Sequence, residues 1–326
     1  MNRISIFKNH ILSGDFGKLA HFVKTRIGSY LFDWPQGINI EPTETCNLHC
    51  PFCQYRINAK ERFKYISFEN YKKIIDDVAP FISYMGLFYR GEPLLHEDIF
   101  SMIKYASDKN LRTEISTNAV LLTKQKSRQL IDSGLDVITV SFDGATKKTY
   151  EAMRAGAKFE QVIANIKHLS KLKNKLNSRK PYVILQMIIT KETEKEIDRF
   201  KQIGKEVNAD EIFLRPLTPN FAFTGKKPKI VLEKFLPKRR ANKLELDIQN
   251  PQKKTKSKCY SLKTAMLFRD GTVVMCCFDG AGKYMMGNAI AADFMKIWYS
   301  DKYRKFRAKQ MKNMELDICA GCKANF

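Results

Sequence analysis

Three cysteines near the start of the chain are close enough in sequence to share one metal centre. They are Cys46, Cys50 and Cys53, separated by three and then by two residues. Three thiolates from one loop leave a tetrahedral zinc site one ligand short, but they hold three irons of a four-iron cluster and leave the fourth iron open. An open iron is a position where a small molecule binds. The alternative is a structural zinc site that takes His49 as its fourth ligand.

A second group of cysteines follows much later in the chain. It consists of Cys259, the neighbours Cys276 and Cys277, and the pair Cys319 and Cys322. Four thiolates gathered from distant segments form a closed tetrahedral set, which suits either zinc or a fully ligated four-iron cluster. The spacing alone does not decide between these metals.

Composition favours metal binding over disulfide formation for these cysteines. The chain has no apolar run of the roughly 18 residues that a membrane span needs, and its N-terminus lacks the apolar region of a signal peptide. We therefore expect a cytoplasmic protein without a transmembrane segment, whose thiols are kept reduced. The formal net charge of +23 fits a solvated basic surface or an acidic partner such as a flavodoxin-type electron donor.

Short apolar strands alternate with helical segments from residue 37 onward, and this alternation predicts a parallel α/β sheet. The helical segments begin after polar caps such as Ser67 and Thr123 and continue with a stripe of apolar residues. Both arrangements that fit, an open doubly wound sheet and a barrel, place their chemistry at the carboxyl ends of the strands. The predicted strands are 38–41, 84–89, 112–116, 137–142, 183–189 and 211–215.

Four short motifs stand in order at the ends of the first four predicted strands. They are the Cys-x3-Cys-x-Phe-Cys loop, Gly91-Glu92-Pro93, Ser116-Thr117-Asn118 and Ser141-Phe142-Asp143-Gly144. Together they resemble the radical S-adenosylmethionine (SAM) superfamily, whose GGEP motif is matched by 91–93 except that Arg90 replaces its first Gly. The resemblance covers residues 37–217 and implies a partial (β/α)6 barrel.

The resemblance also implies a cofactor site for SAM. The open iron of a 4Fe-4S cluster would bind the amino and carboxylate groups of SAM, and an electron passed through the cluster would yield a 5′-deoxyadenosyl radical. The implied SAM-binding residues are Phe52, Gly91, Glu92, Pro93, Asn118, Ser141, Asp143 and Arg154.

Five of these residues also have a simple structural alternative. Glu92 suits the amino group of SAM, or it is an ordinary loop acid. Asp143 and Ser141 suit the ribose hydroxyls, while Asp143 is also placed to cap the next helix. Phe52 would lie against the adenine or pack in the core, Arg154 would reach the carboxylate or lie at the surface, and Asn118 would join the polar rim or form a turn.

The later cysteines resemble a SPASM domain, the iron–sulfur unit that follows many radical SAM barrels. The similarity rests on Cys259, on the Gly271-x4-Cys276 hairpin, on Gly287-Asn288 and on the final Cys-x2-Cys. Because the chain ends at Phe326, we expect the abbreviated "twitch" form with one auxiliary cluster, as in radical SAM dehydrogenases that act on amino-cyclitols. Its implied ligands are Cys259, Cys276, Cys319 and Cys322.

Cys277 is left over by this assignment. The structural interpretation of Cys277 is a small buried hydrophobic side chain. The functional interpretation is a hydrogen-atom donor to a substrate radical, which would make the reaction an inversion.

Three functions follow as hypotheses. The first is oxidation of a sugar, aminocyclitol or related small molecule, with an auxiliary 4Fe-4S cluster as electron acceptor and a flavodoxin or ferredoxin as donor. The second is maturation of a ribosomal peptide by epimerisation or crosslinking, although the first 36 residues are too few for a leader-binding domain. The distant third is a zinc-stabilised basic nucleic-acid-binding protein, for which no motif is present.

The expected organisation has four parts. Residues 1–36 form a basic helical segment that docks onto the next domain or, less simply, onto a membrane surface. The radical SAM partial barrel spans 37–218, a basic linker spans 219–258, and a small α+β twitch- or SPASM-like domain spans 259–326.

Overall fold

Nine strands form one mixed sheet in the computed structural model, which describes residues 14–53, 64–217, 235–237 and 259–312. They are β1 (Gly37–Ile40), β2 (Tyr84–Leu87), β3 (Arg112–Thr117), β4 (Val137–Ser141), β5 (Tyr182–Ile189), β6 (Glu211–Pro216), β7 (Thr264–Leu267), β8 (Thr272–Val274) and β9 (Met285–Asn288). Their order across the sheet is β6-β5-β4-β3-β2-β1-β7-β8-β9. Strands β1 to β6 are parallel.

The six parallel strands confirm the predicted partial barrel. Across the described residues the sheet stays open, with β6 and β9 as its edges. Parallel strands end on the same edge of a sheet, so the cysteine loop after β1 meets the motifs that follow β2, β3 and β4. We call this side the carboxyl edge.

The later strands extend the same sheet on the far side of β1. Strand β7 pairs with β1 in parallel, and β8 and β9 continue from it as antiparallel neighbours. The segment that resembles a SPASM domain is therefore joined to the barrel by backbone hydrogen bonds. Its helices pack beside this extension, which gives the expected small α+β unit.

Nine helices accompany the sheet in the described residues. They are α1 (Phe16–Leu31), α2 (Phe68–Val78), α3 (Ile99–Asp108), α4 (Lys124–Asp132), α5 (Lys147–Met153), α6 (Phe159–Lys175), α7 (Ile197–Glu206), α8 (Phe294–Tyr299) and α9 (Asp301–Lys312). Ser67 and Thr123 cap α2 and α4 as predicted, each accepting from a backbone N–H three residues later. The apolar stripes of these helices face the sheet and build the core.

Helix α1 turns its small and polar side chains toward the protein. Lys18 Nζ lies 2.5 Å from Asp136 Oδ2, and His21 Nε2 lies 2.8 Å from the carbonyl oxygen of Ile82. Both partners stand just before a strand, so α1 packs at the end of the sheet opposite the cysteine loop. Most of its apolar side chains face outward, with Tyr30 89% exposed and Ile27 54% exposed. An apolar docking face, the usual basis of a docked amphipathic helix, is therefore not what attaches α1.

Lys18→Met is expected to lower the free energy of unfolding at pH 7 by about 2 kcal/mol, because it removes one of two cations from a buried carboxylate. Burial opposes ionisation of Asp136, but Lys18 and Lys180 outweigh it and hold the pKa of Asp136 below its ordinary value. The ionised carboxylate thus adds stability above about pH 4, and this contribution is lost as the pH falls through the lowered pKa. Urea unfolding at pH 7 and pH 3 should show the deficit shrinking in acid. The exposed Lys24→Met is the control, and an equal deficit at both pH values would contradict the prediction.

Some predictions fall outside the described residues. These are the linker 219–258, apart from 235–237, and the cysteines Cys319 and Cys322. Among the helices that are described, none combines the length and the hydropathy needed to span a membrane.

Candidate active site at the carboxyl edge

The loop after β1 holds its three cysteines at different depths: Cys50 is buried, Cys46 is half-buried and Cys53 is exposed. Burial raises the pKa of the Cys46 thiol to about 11. It also raises the pKa of Cys50, against the opposing charge of Arg154. Thiols of this kind give up their protons when a cationic metal centre binds them. Cysteine thiolates are the donors that an iron–sulfur cluster takes. His49, the fourth ligand of the zinc alternative, is exposed, and no three described His, Cys, Asp or Glu side chains are gathered as for a single metal ion.

Glu92 ties the end of β2 to the end of β3. Its carboxylate accepts hydrogen bonds from Thr117 Oγ1 at 2.6 Å, from Asn118 N at 2.8 Å and from Leu94 N at 3.1 Å. It is only 2% exposed, and burial raises its pKa although these donors oppose the rise. A carboxylate offers about four acceptor positions, so roughly one remains for a ligand. Glu92 is thus no ordinary loop acid, and its contact with the amino group of SAM stays a prediction.

Asn118 links β3 to the cysteine loop. Its Nδ2 donates to Asn47 Oδ1 at 2.8 Å, one residue after Cys46, while its Oδ1 accepts from Val120 N at 3.0 Å. Asn118 therefore forms a turn with its own side chain and also joins the polar residues beside the cysteine loop, as both interpretations expected. Ser141 is half-buried as the last residue of β4.

Gly91 and Pro93 place Glu92 against the cysteine loop. Gly91 has a φ of +70°, and a Cβ at this position would lie 2.4 Å from the carbonyl oxygen of Thr43. The next backbone N–H, that of Glu92, donates to the carbonyl oxygen of Thr45 at 2.7 Å. Pro93 then begins a short 3-10 helix. Only glycine combines this φ with so close an approach.

Arg154 lies beneath the cysteine loop and pairs with a buried carboxylate. It forms an ion pair with Asp143 Oδ2, and its Nη1 lies 3.8 Å from Cys50 Sγ. Its guanidinium carbon is 5.8 Å from the centre of the Phe52 ring. Burial disfavours the charge, yet Asp143 and Cys50 raise the pKa of Arg154 above its ordinary value. The alternative of a surface arginine is therefore wrong.

The suggested helix-capping role of Asp143 is also wrong. Its Oδ1 accepts from the backbone N–H of Ile188 at 2.6 Å, which joins β4 to β5. Thr146 caps α5 instead, accepting from Thr149 N. Asp143 is fully buried, so a contact with ribose would have to be shared with these protein partners. Phe52 is also buried, with its ring 6.2 Å from the ring of Phe235, and its contact with adenine stays a prediction.

Two buried polar atoms near Cys50 have no hydrogen-bond partner among the described residues. They are Arg154 Nε and the hydroxyl of Tyr150, and Tyr150 is fully buried against Phe142. Unsatisfied buried groups are rare and mark places where a ligand or water completes the structure. A cationic donor beside the Cys50 thiol suits a cluster that carries a carboxylate ligand. Sequence reasoning missed Tyr150, for which no motif gave a signal.

The second cysteine group is partly described. Cys276 is buried, and hydrogen bonds from the neighbouring Cys277 thiol and from Ser261 help lower its pKa to about 7. Ser261 also hydrogen-bonds Cys259, whose pKa is raised by burial. Cys259 and Cys276 therefore share a neighbour, and a thiol that ionises near neutral pH is a good metal ligand. The ligand roles of Cys319 and Cys322 stay predictions.

A contact that sequence reasoning missed joins the segment after β2 to the second cysteine group. The hydroxyl of Tyr89, at the end of β2, donates to the carbonyl oxygen of Cys277 at 2.7 Å. The neighbouring Arg90 Nη1 lies 3.5 Å from the carbonyl oxygen of Gly280. The departure of Arg90 from the GGEP motif was the only available signal.

Comparisons with known proteins agree with this geometry. Residues 40–203 match the family model of the radical SAM superfamily, and residues 259–323 match an iron–sulfur cluster-binding domain. A tungsten-containing aldehyde ferredoxin oxidoreductase cofactor-modifying protein of Pyrococcus furiosus is 25% identical over 311 residues, which are 87% of this chain and 86% of that protein.

Two further similarities are more partial or more distant. PqqA peptide cyclase of Bradyrhizobium diazoefficiens is 32% identical over 121 residues, which are 37% of this chain but only 32% of the cyclase. Streptococcus suis SuiB bound to precursor peptide SuiA shares the fold with a TM-score of 0.65 at 17% identity, over 91% of this chain and 71% of that one. The matches favour iron–sulfur clusters over the zinc interpretation. The chain therefore belongs to the radical SAM superfamily, with SAM and a four-iron cluster as cofactors and a further iron–sulfur cluster in residues 259–323.

Proposed function

We propose that this enzyme removes a hydrogen atom from a carbon of its substrate and then oxidises the resulting substrate radical by one electron, with the hydroxyl or amine proton released to water. The observation that carries the proposal is that Tyr89 and Arg90, which follow β2 at the carboxyl edge, contact the backbone of the second cysteine group at Cys277 and Gly280. A second redox-active cluster in the same protein would supply an acceptor for that electron. A sugar, aminocyclitol or related alcohol or amine is the substrate class that this chemistry suits best.

The roles of individual residues follow from their chemistry. Cys46, Cys50 and Cys53 would hold the SAM-binding cluster, and Cys259 and Cys276 would contribute to the auxiliary one. When bound, the first cluster with SAM supplies a 5′-deoxyadenosyl radical, and the auxiliary cluster supplies a one-electron acceptor.

The residues that would hold SAM are set by the same geometry. The carboxylate of Glu92 has an acceptor position left for the amino group of SAM. Arg154 would orient its carboxylate through the unsatisfied Nε, and Phe52 would contact its adenine. The burial of Glu92 and Asp143 keeps water away from the carboxylates that fix this arrangement.

The test is an anaerobic assay of reconstituted protein with dithionite, SAM and substrate candidates deuterated at carbon. We expect 5′-deoxyadenosine to form and to carry deuterium from an alcohol or amine, which is recovered as the corresponding carbonyl or imine product. Deuterium transfer with a product at the same oxidation level as the substrate would contradict the oxidation step. Absence of 5′-deoxyadenosine under all conditions would contradict the whole proposal.

A second candidate is modification of a peptide, and the comparisons favour it. PqqA peptide cyclase is named for a peptide substrate, and SuiB was solved with a precursor peptide. The same assay decides between the classes when a panel of peptides is run beside the small molecules. Deuterium transfer from a peptide alone would assign this second function.

Cys277→Ala is expected to leave both clusters, SAM cleavage and product formation at wild-type levels, because oxidation needs no hydrogen donor to the substrate radical. The thiol of Cys277 hydrogen-bonds Cys276, so Cys277→Ser is the matched control that keeps a donor there. Mass spectrometry of product and 5′-deoxyadenosine is the measurement. If 5′-deoxyadenosine persisted while product was lost, Cys277 would be the donor of an inversion reaction.

A further inference from the structure

Arg90 occupies the position of a motif glycine but is built into an ion-pair cluster. Its Nε lies 2.5 Å from Glu41 Oε1 and its Nη2 lies 2.7 Å from Glu41 Oε2, a two-pronged contact. The same Nη2 is 2.8 Å from Glu44 Oε1, two residues before Cys46. The Arg90 side chain is 13% exposed and that of Glu41 is fully buried. One side of this guanidinium group therefore binds the segment that leads to the cysteine loop.

The other side of Arg90 faces the C-terminal strands and the auxiliary segment, by which we mean residues 276–280. Its guanidinium carbon lies 4.4 Å from the centre of the Phe268 ring at the end of β7. Its Nη1 approaches the carbonyl oxygen of Gly280. Arg269 adds a second bridge, with its Nε 3.5 Å from Glu44 Oε1. These ion pairs thus connect the segment before Cys46 with the auxiliary segment and the C-terminal strands.

We propose that Arg90 is a positioning residue that fixes the auxiliary segment against the loop that leads to Cys46. The proposal rests on the proposed function, because it takes the two cysteine groups as the ligands of two clusters. It goes further by naming the residue that sets their relative position.

The chemistry of the side chain supports this role. A planar guanidinium binds a carboxylate through two parallel hydrogen bonds, contacts a second carboxylate and still stacks on an aromatic ring. A lysine ammonium provides only a point charge and cannot make all these contacts at once. A glycine would leave the buried Glu41 without its cation, which is strongly unfavourable. Arg90 therefore replaces the motif glycine where the buried carboxylate of Glu41 needs a cation.

The test uses the reconstituted enzyme with SAM and dithionite, and it measures how easily the electron paramagnetic resonance signal of the SAM-binding cluster saturates with microwave power. A second paramagnetic cluster nearby speeds relaxation and makes saturation harder. Cys276→Ala protein, which lacks an auxiliary ligand, gives the reference for a missing neighbour. The key variant is Arg90→Gln with Glu41→Gln, which removes both charges and leaves no unpaired carboxylate at Glu41.

We expect this double variant to keep both clusters by iron analysis, while its half-saturation power shifts from the wild-type value toward that of Cys276→Ala. The matched control, Arg128→Gln with Asp132→Asn, removes an exposed ion pair on α4 and should stay at the wild-type value. If the double variant loses a cluster, Arg90→Lys is measured instead, and a smaller shift in the same direction is expected. A wild-type half-saturation power in a variant with both clusters intact would overturn the proposal, as would a wild-type enzyme that relaxes like Cys276→Ala. Failure of the proposed function would instead appear as wild-type protein without SAM cleavage.

Discussion

Replacing Cys46, Cys50 and Cys53 together by Ala is expected to abolish SAM cleavage while leaving the auxiliary cluster in the protein. These three thiolates are the proposed ligands of the SAM-binding cluster, and loss of all three would leave no protein ligand for its irons. The proposed auxiliary ligands lie in other segments, beginning at Cys259, so that site would keep its own donor set. The iron and sulfide content of the protein should fall from that of two clusters to that of one, and 5′-deoxyadenosine should fall below detection.

The triple variant should still fold. Only Cys50 is buried among the three, and Ala replaces each thiol by a side chain only slightly smaller, at a cost of about 1 kcal/mol at that site. Circular dichroism checks the fold, and Cys277→Ala, which removes a cysteine from neither ligand set, is the control. SAM cleavage by the triple variant would show that the cluster site has been assigned to the wrong residues.

Gly91→Ala is expected to lower SAM cleavage by about 100-fold, the order of effect that follows a small misplacement of reacting groups. The new Cβ would lie 2.4 Å from the carbonyl oxygen of Thr43 and 2.7 Å from that of Thr45. Both are backbone atoms of the segment that leads into Cys46, so the collision can be relieved only by moving that segment. The rate of 5′-deoxyadenosine formation measures the effect.

Gly14→Ala separates collision from backbone strain. Gly14 has a φ of +68°, close to that of Gly91, but a Cβ there would meet no described residue within 4 Å. It should therefore show only the strain of a left-handed alanine, about 1 kcal/mol, and wild-type SAM cleavage. Equal activity of the two variants would contradict the placement of Gly91 against the cysteine loop.

The parallel part of the sheet could be predicted because its signals are local. Each buried strand is a short apolar run, and the caps Ser67 and Thr123 mark where helices begin. The pairing of β7 with β1 could not be predicted in this way. It joins residues more than 200 positions apart, and no property of Thr264–Leu267 specifies Gly37–Ile40 as its neighbour.

Helix α1 shows a different limit of pattern reading. Its apolar side chains suggest a docking face, but the helix is fixed by the ion pair between Lys18 and Asp136. A buried lysine is rare, and nothing in the sequence near Lys18 distinguishes it from the many exposed lysines of the chain.

The candidate site was predictable where a motif named the residue and unpredictable where a partner came from another strand. The cysteines, Gly91 and Glu92 stand in motifs, and they meet at the carboxyl edge because parallel strands end there. The donors that occupy Glu92 come from β3 and the residue after it. The pairing of Arg90 with Glu41 likewise depends on the register of two strands. Such contacts require the fold before they can be named.

The central claim is that SAM binds directly to the cluster held by Cys46, Cys50 and Cys53, and electron–nuclear double resonance tests it most directly. The reduced enzyme is mixed with SAM that carries nitrogen-15 at its amino group, and the coupling of that nucleus to the cluster spin is recorded. We expect a strong nitrogen-15 coupling in wild-type protein that is absent from the triple cysteine variant. A reduced cluster signal in wild-type protein with no coupling to labelled SAM would contradict it.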